Sequence, residues 1–299
     1  MTRPRILVTG AGGQLGWELV RALGPLGEVV APPRAELDLA RPAQLREVVR
    51  RLRPAVVVNA AAYTAVDRAE AEPGAAHAVN AVAPGVLAGE AAALGALMVH
   101  FSTEYVFSGE AHRPYLEDDV TSPLNVYGQS KLEGERAVAA VAGAHLVFRT
   151  SWVYGVRGQN FLRTMLRLAR ERDELRVVCD QVGAPTWSRM LAAATAAVLA
   201  GVRGPGGFAL PPELAGVYHL SAAGATSWHG FASALLALDP ARAGQRCRVV
   251  TPIPSEEYPT PARRPRNSLL ACGRVEAAFG VALPHWSEQL RLCMADLSP

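Results

Sequence analysis

Through the first half of the chain, short apolar runs rich in β-branched residues alternate with longer alanine- and leucine-rich stretches of helical spacing. The short runs predict strands over residues 5–8, 28–30, 56–59, 97–102 and 145–149. The stretches between them predict helices over 14–23, 43–51, 75–94 and 125–140. Strand–helix alternation of this kind specifies an α/β fold, a Rossmann-type doubly wound parallel sheet covered by helices. Beyond residue 150 the alternation loosens. Helices are expected over 161–172, 188–199, 227–238 and 286–297, separated by proline-rich loops such as 252–265. The pattern therefore predicts a dinucleotide-binding domain over 1–153 and a smaller, irregular C-terminal substrate lobe over 154–299, with segments near 186–220 returning to the first domain.

Composition narrows the class without changing that picture. A 299-residue chain, 50 % hydrophobic and 19 % charged, has ample material for a buried core. Its formal charge of +3 is too small to argue for nucleic acid or an anionic membrane as partner. Residues 1–5 are polar and lead straight into a short apolar run, which is not a secretory signal, and the bland stretch 190–202 is too short to span a bilayer. Four scattered cysteines without a CxxC pair point to reduced thiols and a cytoplasmic protein, and the seven scattered histidines suggest no metal site.

The first predicted strand runs into Thr9-Gly10-Ala11-Gly12-Gly13-Gln14-Leu15-Gly16, and a helix follows at once. Glycines at 10, 13 and 16 let the backbone turn sharply and approach a pyrophosphate, whose charge meets the amides of the helix N-terminus. Gln14 and Leu15 open that helix and join the cofactor-binding set. A strictly NAD-dependent site would carry an acid at the tip of the second strand, but this strand ends Val30-Ala31-Pro32-Pro33-Arg34. Arg34 is either the acceptor of an adenosine 2′-phosphate, which favours NADPH over NADH, or a solvated arginine. Asp38 and Leu39 are candidates for adenine contact. Ala60, Ala61 and Ala62 end a buried strand with side chains small enough for close approach of the cofactor.

Tyr127 and Lys131 stand four residues apart on a predicted helix, so phenol and ammonium can address one pocket. A nearby cation favours the phenolate, which is expected to draw the tyrosine pKa down from about 10 towards a useful range. Lys131 is the only lysine among 30 Lys and Arg residues, so chance placement there is about one in thirty. Lysine differs from arginine as a compact point charge able to fit between a ribose and a phenol. Thr103, at the end of the preceding strand, either holds a substrate carbonyl or merely caps the next turn.

These residues resemble the extended short-chain dehydrogenase/reductase superfamily, and within it the dTDP-4-dehydrorhamnose reductases. The similarity runs nearly end to end, through NAAAYTAVDRAE (59–70), SPLNVYGQSK (122–131), FRTSWVY (148–154), DQVGAPT (180–186) and YPTPARRPRNS (258–268). It implies hydride transfer from NADPH or NADH to C4 of a dTDP-linked 4-keto deoxysugar, with Tyr127 protonating the alkoxide. It further implies that Lys131 binds the nicotinamide ribose and that Thr103 holds the reacting oxygen. Glu104, Tyr105, Trp152, Asn160, Phe161, Gln181 and Arg264 are the implied substrate contacts, with Trp152 walling the sugar unless it is simply a core residue. Glu104 stands where the family often has aspartate.

Some members of that family form homodimers bridged by magnesium through acidic residues, one resembling Glu18. Arg189 occupies another of those positions, so no required metal is expected, and a Glu18–Arg189 ion pair across a homodimer becomes conceivable. Two other readings remain open: a non-catalytic, dinucleotide-binding regulatory subunit, and a nucleotide-sugar epimerase or dehydratase that cycles bound NAD.

Overall fold

The computed structural model describes residues 3–297; Met1 and Thr2, the start of the polar N-terminal stretch, lie outside the described residues. The chain begins with β1 (Arg5–Thr9), α1 (Gln14–Ala22), β2 (Glu28–Val30), α2 (Pro42–Leu52) and β3 (Val56–Asn59). There follow α3 (Val66–Ala71), α4 (Pro73–His77), α5 (Ala83–Ala93), β4 (Leu97–Thr103), α6 (Val126–Ala139) and β5 (His145–Thr150). The second half holds β6 (Val153–Tyr154), α7 (Phe161–Glu171), β7 (Glu174–Val178), β8 (Val182–Gly183), β9 (Thr186–Trp187) and α8 (Ser188–Gly201). It continues with β10 (Arg203–Gly204), β11 (Gly207–Phe208), β12 (Gly216–His219), β13 (Thr226–Ser227), α9 (Trp228–Ala237), β14 (Val249–Ile253), α10 (Gly273–Phe279) and α11 (Trp286–Ala295).

The central sheet has the order β12-β5-β4-β3-β1-β2, with every pairing parallel. Its strands read as unbroken apolar runs because helices cover both faces. On one face Ile6, Val8, Val58, Val99 and Phe148 pack against Leu19 of α1 and Leu191 and Val198 of α8. On the other, Leu7, Val57, Met98 and Val147 pack against Leu45 of α2 and Leu87 of α5. Strand order reverses between β1 and β3, the point at which such sheets open a crevice at their carboxyl ends.

β12, which the hydrophobic pattern did not single out, adds the sixth strand, and α8 packs beside α1. A separate cluster built from Tyr154, Leu162, Phe231 and Leu290 forms the core around the parallel pair β7–β14. The helix expected over 75–94 is interrupted by a π turn, Ala78–Val82. Pro84 supplies no N–H to the Asn80 carbonyl, and a Cβ at Gly134 would come within 2.0 Å of that oxygen, so α6 packs there only because Gly134 has none. Among the described residues no helix is long and apolar enough to cross a membrane.

Candidate active site

The carboxyl ends of β1, β3, β4 and β5 open into a cleft of about 610 Å³. The glycine loop forms one wall. Gly10 has φ +72°, and a Cβ on it would lie 2.8 Å from the Ala61 backbone. A Cβ on Gly16 would lie 2.1 Å from the Gly10 carbonyl, so α1 starts this close to β1 only with glycine at that position. Gly10, Gly13, Gln14 and Leu15 line the cleft with Ala60, Ala61 and Ala62 beside them, while Gly16 lies behind the lining. A loop and helix end with no room for a Cβ fit a dinucleotide's pyrophosphate.

Thr103, Glu104, Tyr105, Tyr127 and Lys131 line the floor. α6 is started by Asn125, whose side chain accepts from Gly128 N at 2.8 Å and donates to the Arg263 carbonyl at 2.7 Å. A Cβ on Gly128 would meet the Tyr105 carbonyl at 2.3 Å, so this glycine brings Tyr127 against the turn that follows β4. The Thr103 hydroxyl donates to Glu104 Oε2 at 2.8 Å and accepts from Tyr105 N at 3.3 Å. The expected lowering of the Tyr127 pKa is not what this structure gives. Burial and the nearby Glu104 push the phenol up, and only the neighbouring Thr103 hydroxyl opposes them. Lys131 faces elsewhere: Nζ donates to the Phe101 carbonyl at 2.5 Å and lies 3.4 Å from His100 Nε2. Tyr127 is thus held in its neutral, protonated form. Burial also raises Glu104 to about 7, against the weaker pull of the Thr103 hydroxyl.

The upper wall joins motifs far apart in the chain. Trp152 has φ +48°, unusual for a non-glycine residue, and its ring stacks on Trp228 at 3.6 Å and 7°. A Cβ on Gly183 would come within 2.4 Å of the Trp152 ring, so the glycine of DQVGAPT makes room for the tryptophan of FRTSWVY. Asn160 Nδ2 donates to Gln14 Oε1 at 2.9 Å, tying this wall to the glycine loop, while Asn160 Oδ1 caps α7 and Phe161 lines the cleft. Trp228, Phe231 and Gln159 also line the cleft, as do Thr64, Val66, Phe101, Ser102, Thr150, Val153 and Tyr154, and none of these is among the residues expected from the sequence. Trp228 had a faint signal, a tryptophan at the first position of a helix started by Ser227.

The remaining expected residues lie elsewhere. Gln181 and Arg264 line a second cavity of about 830 Å³ together with Arg263, Arg266 and Asn267. There Arg264 is held by Asp67, at 2.8 and 2.7 Å. Arg34, Asp38 and Leu39 fall outside both linings: Arg34 is exposed and 3.6 Å from Asp38, and Leu39 is a core residue beneath α2. The Glu18–Arg189 pair, conceived as bridging two subunits, closes within one chain at 3.4 Å. Arg189 also holds Asp296, because α1, α8 and the end of α11 meet there. Among the described residues, no group of three or more His, Cys, Asp or Glu side chains is arranged to hold a metal ion.

Residues 4–298 match the family described as RmlD substrate binding domain. A dTDP-4-dehydrorhamnose reductase of Burkholderia thailandensis is 52 % identical, covering 98 % of this chain and 99 % of its own. The solved dTDP-4-dehydrorhamnose reductase from Bacillus anthracis, in complex with NADP, superposes with a TM-score of 0.89 at 33 % identity, over 99 % of this chain and 100 % of that one. A dTDP-4-dehydrorhamnose reductase ortholog from Clostridium acetobutylicum also gives 0.89, at 37 % identity, over 98 % and 99 %. With the doubly wound sheet, the glycine-lined cleft and matches over nearly the whole length, this chain belongs to the RmlD substrate binding domain family, that of the dTDP-4-dehydrorhamnose reductases.

Proposed function

We propose that this protein reduces the C4 keto group of dTDP-4-dehydro-L-rhamnose to give dTDP-L-rhamnose, using NADPH or NADH. The observation that carries the reading is the meeting of Thr103, Tyr127 and the chain's single lysine on the floor of a cleft walled by the glycine loop. A reduced nicotinamide supplies the hydride when bound. Tyr127, kept neutral by burial, donates its phenolic proton to the developing alkoxide, and the Thr103 hydroxyl holds the reacting oxygen beside it. Lys131 holds the nicotinamide ribose. Gly10, Gly13, Gln14 and Leu15 hold the pyrophosphate, Gly16 lets α1 start close enough to reach it, and Ala60, Ala61 and Ala62 leave room for it.

Trp152 and Trp228 together wall the sugar and exclude water, with Asn160 and Phe161 closing that end. Glu104 and Tyr105 approach the sugar from the floor. Gln181 and Arg264, in the adjoining arginine-lined cavity, hold the nucleotide diphosphate. Arg34, exposed after β2, supports NADPH as the preferred cofactor, with Asp38 and Leu39 near the adenine. Four free, scattered cysteines support a reducing, cytoplasmic setting, and a homodimer without a required metal completes the reading.

The test is oxidation of NADPH and of NADH, followed by absorbance with dTDP-4-dehydrorhamnose, together with identification of the product. Turnover yielding dTDP-L-rhamnose, faster with NADPH, is the expected result. Dinucleotide binding without turnover would sink the reductase reading and favour a regulatory subunit.

A further inference from the structure

The helix-covered face of the sheet that carries Leu7, Val57 and Met98 changes character one step nearer the cleft. There three adjacent strands present Thr9, Asn59 and His100 in direct register, Thr9 opposite Asn59 and Asn59 opposite His100. All three are at most 1 % exposed. Apolar side chains would fill this row at less cost, since buried polar groups must be hydrogen-bonded.

The row is joined end to end. Ala61 N donates to Thr9 Oγ1 at 3.2 Å, and Thr9 Oγ1 lies 2.6 Å from Asn59 Oδ1. Asn59 Nδ2 lies 3.1 Å from His100 Nδ1, and His100 Nε2 lies 3.4 Å from Lys131 Nζ. The chain of contacts thus starts at Ala61, on the cleft wall against Gly10, and ends on the only lysine of the protein.

We propose that His100 is a positioning residue for Lys131, a neutral imidazole that holds the amine in both of its charge states while Asn59 turns to match. An ammonium has three N–H groups to satisfy. The Phe101 carbonyl accepts one, His100 Nε2 accepts a second, and the third is left for the cleft. An imidazole accepting at Nε2 carries its proton on Nδ1, so Asn59 must offer its carbonyl oxygen to His100 and its amide N–H to Thr9. When Lys131 is the neutral amine the roles reverse: His100 donates from Nε2, Asn59 donates to Nδ1, and the Thr9 hydroxyl donates to the Asn59 oxygen. Both arrangements use the same heavy-atom positions.

The electrostatics agree with this geometry. Burial draws Lys131 down to about 8, with Glu135 on its own helix opposing, and burial with Lys131 keeps His100 neutral. Glu135 is itself paired with Arg149 from β5, and Glu104, after β4, bonds Thr103. His100 therefore supplies contact without adding charge. The coupling stands independently of the reductase reading; only its kinetic consequence rests on it.

Because there is one lysine, protein labelled with 13C at lysine Cε gives a single resonance whose titration reports Lys131 directly. Its midpoint is expected to fall by about one pH unit in His100→Leu, because the hydrogen bond lost by the ammonium is stronger than the one lost by the neutral amine. In His100→Gln, which keeps an acceptor, it should stay close to wild type. Equal midpoints in all three proteins, or a Gln variant that behaves like Leu, would overturn the proposal. Unmodified protein gives a second measurement that needs no variant to fold. In 15N spectra the His100 proton should move from Nδ1 to Nε2 as Lys131 loses its own, and an unchanged tautomer through that titration would also overturn the proposal. In His100→Leu the alkaline limb of kcat should follow the lysine midpoint. If the midpoint moves and the limb does not, the failure falls on the catalytic role of Lys131 and leaves the coupling intact.

Discussion

Two sets of buried ionisable groups lie one turn apart along α6 and are treated in opposite ways. Glu135 receives the Arg149 guanidinium on both oxygens, at 2.9 and 2.7 Å, and the Ser102 hydroxyl as well. Arg149 donates further to the Glu117 carbonyl at 3.1 Å, and Glu117 accepts from His219 N at 2.9 Å and pairs with Arg274. His219, buried beside Arg149, is held down to about 3 and stays neutral. Lys131 and Glu104, equally buried, have no opposing charge of their own; they are met by a carbonyl, an imidazole and a hydroxyl. Charges in the first set are matched by partners, so they fix β4, β5 and β12 against α6. In the second set the missing partners displace the pKa values towards neutrality, the range useful for proton transfer.

Removing one member from each set should have the largest and most unequal effects. Arg149→Leu leaves Glu135 buried and uncompensated and should cost about 3–5 kcal/mol in denaturant unfolding. Lys131→Met leaves no buried charge behind, so stability should hold or rise while turnover falls by about 10²–10⁴-fold. Equal losses of stability in the two variants would remove the distinction between the sets.

A smaller effect is expected from Glu104. Its folded-state pKa of about 7 stands above the ordinary carboxyl value of 4.5, so the fold prefers the protonated acid. That preference is fully present below about 4.5 and is lost as pH rises through about 7. Glu104→Gln should therefore gain stability relative to wild type across that window, reaching about 3 kcal/mol above it. Thermal melts at pH 4, 6 and 8 read the trend, and a difference that does not vary with pH would contradict it.

Much of this arrangement was legible in the sequence. Strands β1, β3, β4 and β5 announce themselves because both of their faces are buried and nearly every position is apolar. The glycine loop, Thr103, Tyr127 and Lys131 follow from their places at strand ends and on one helix face. β12 was harder to read, since Gly216–His219 is short and mixes Gly, Val, Tyr and His. The π turn depends on Pro84 meeting Gly134 across two helices, a contact that no local pattern encodes. The raised Tyr127 pKa is beyond the reach of local spacing for a related reason. Spacing puts a lysine near the phenol, but the register of β4 supplies the carbonyl and imidazole that hold it. Trp228 carries no strong local signal because its place in the cleft depends on Trp152, 76 residues earlier in the chain.

The role proposed for Tyr127 is that of the buried acid completing reduction. Single-turnover mixing of wild type and Tyr127→Phe with NADPH and dTDP-4-dehydrorhamnose tests it most directly, with binding and nicotinamide oxidation followed separately. The variant is expected to bind both ligands with little change and to oxidise nicotinamide at least about 10²-fold more slowly. Oxidation at the wild-type rate in a folded variant would contradict it and move the proton donor to another group on the cleft floor.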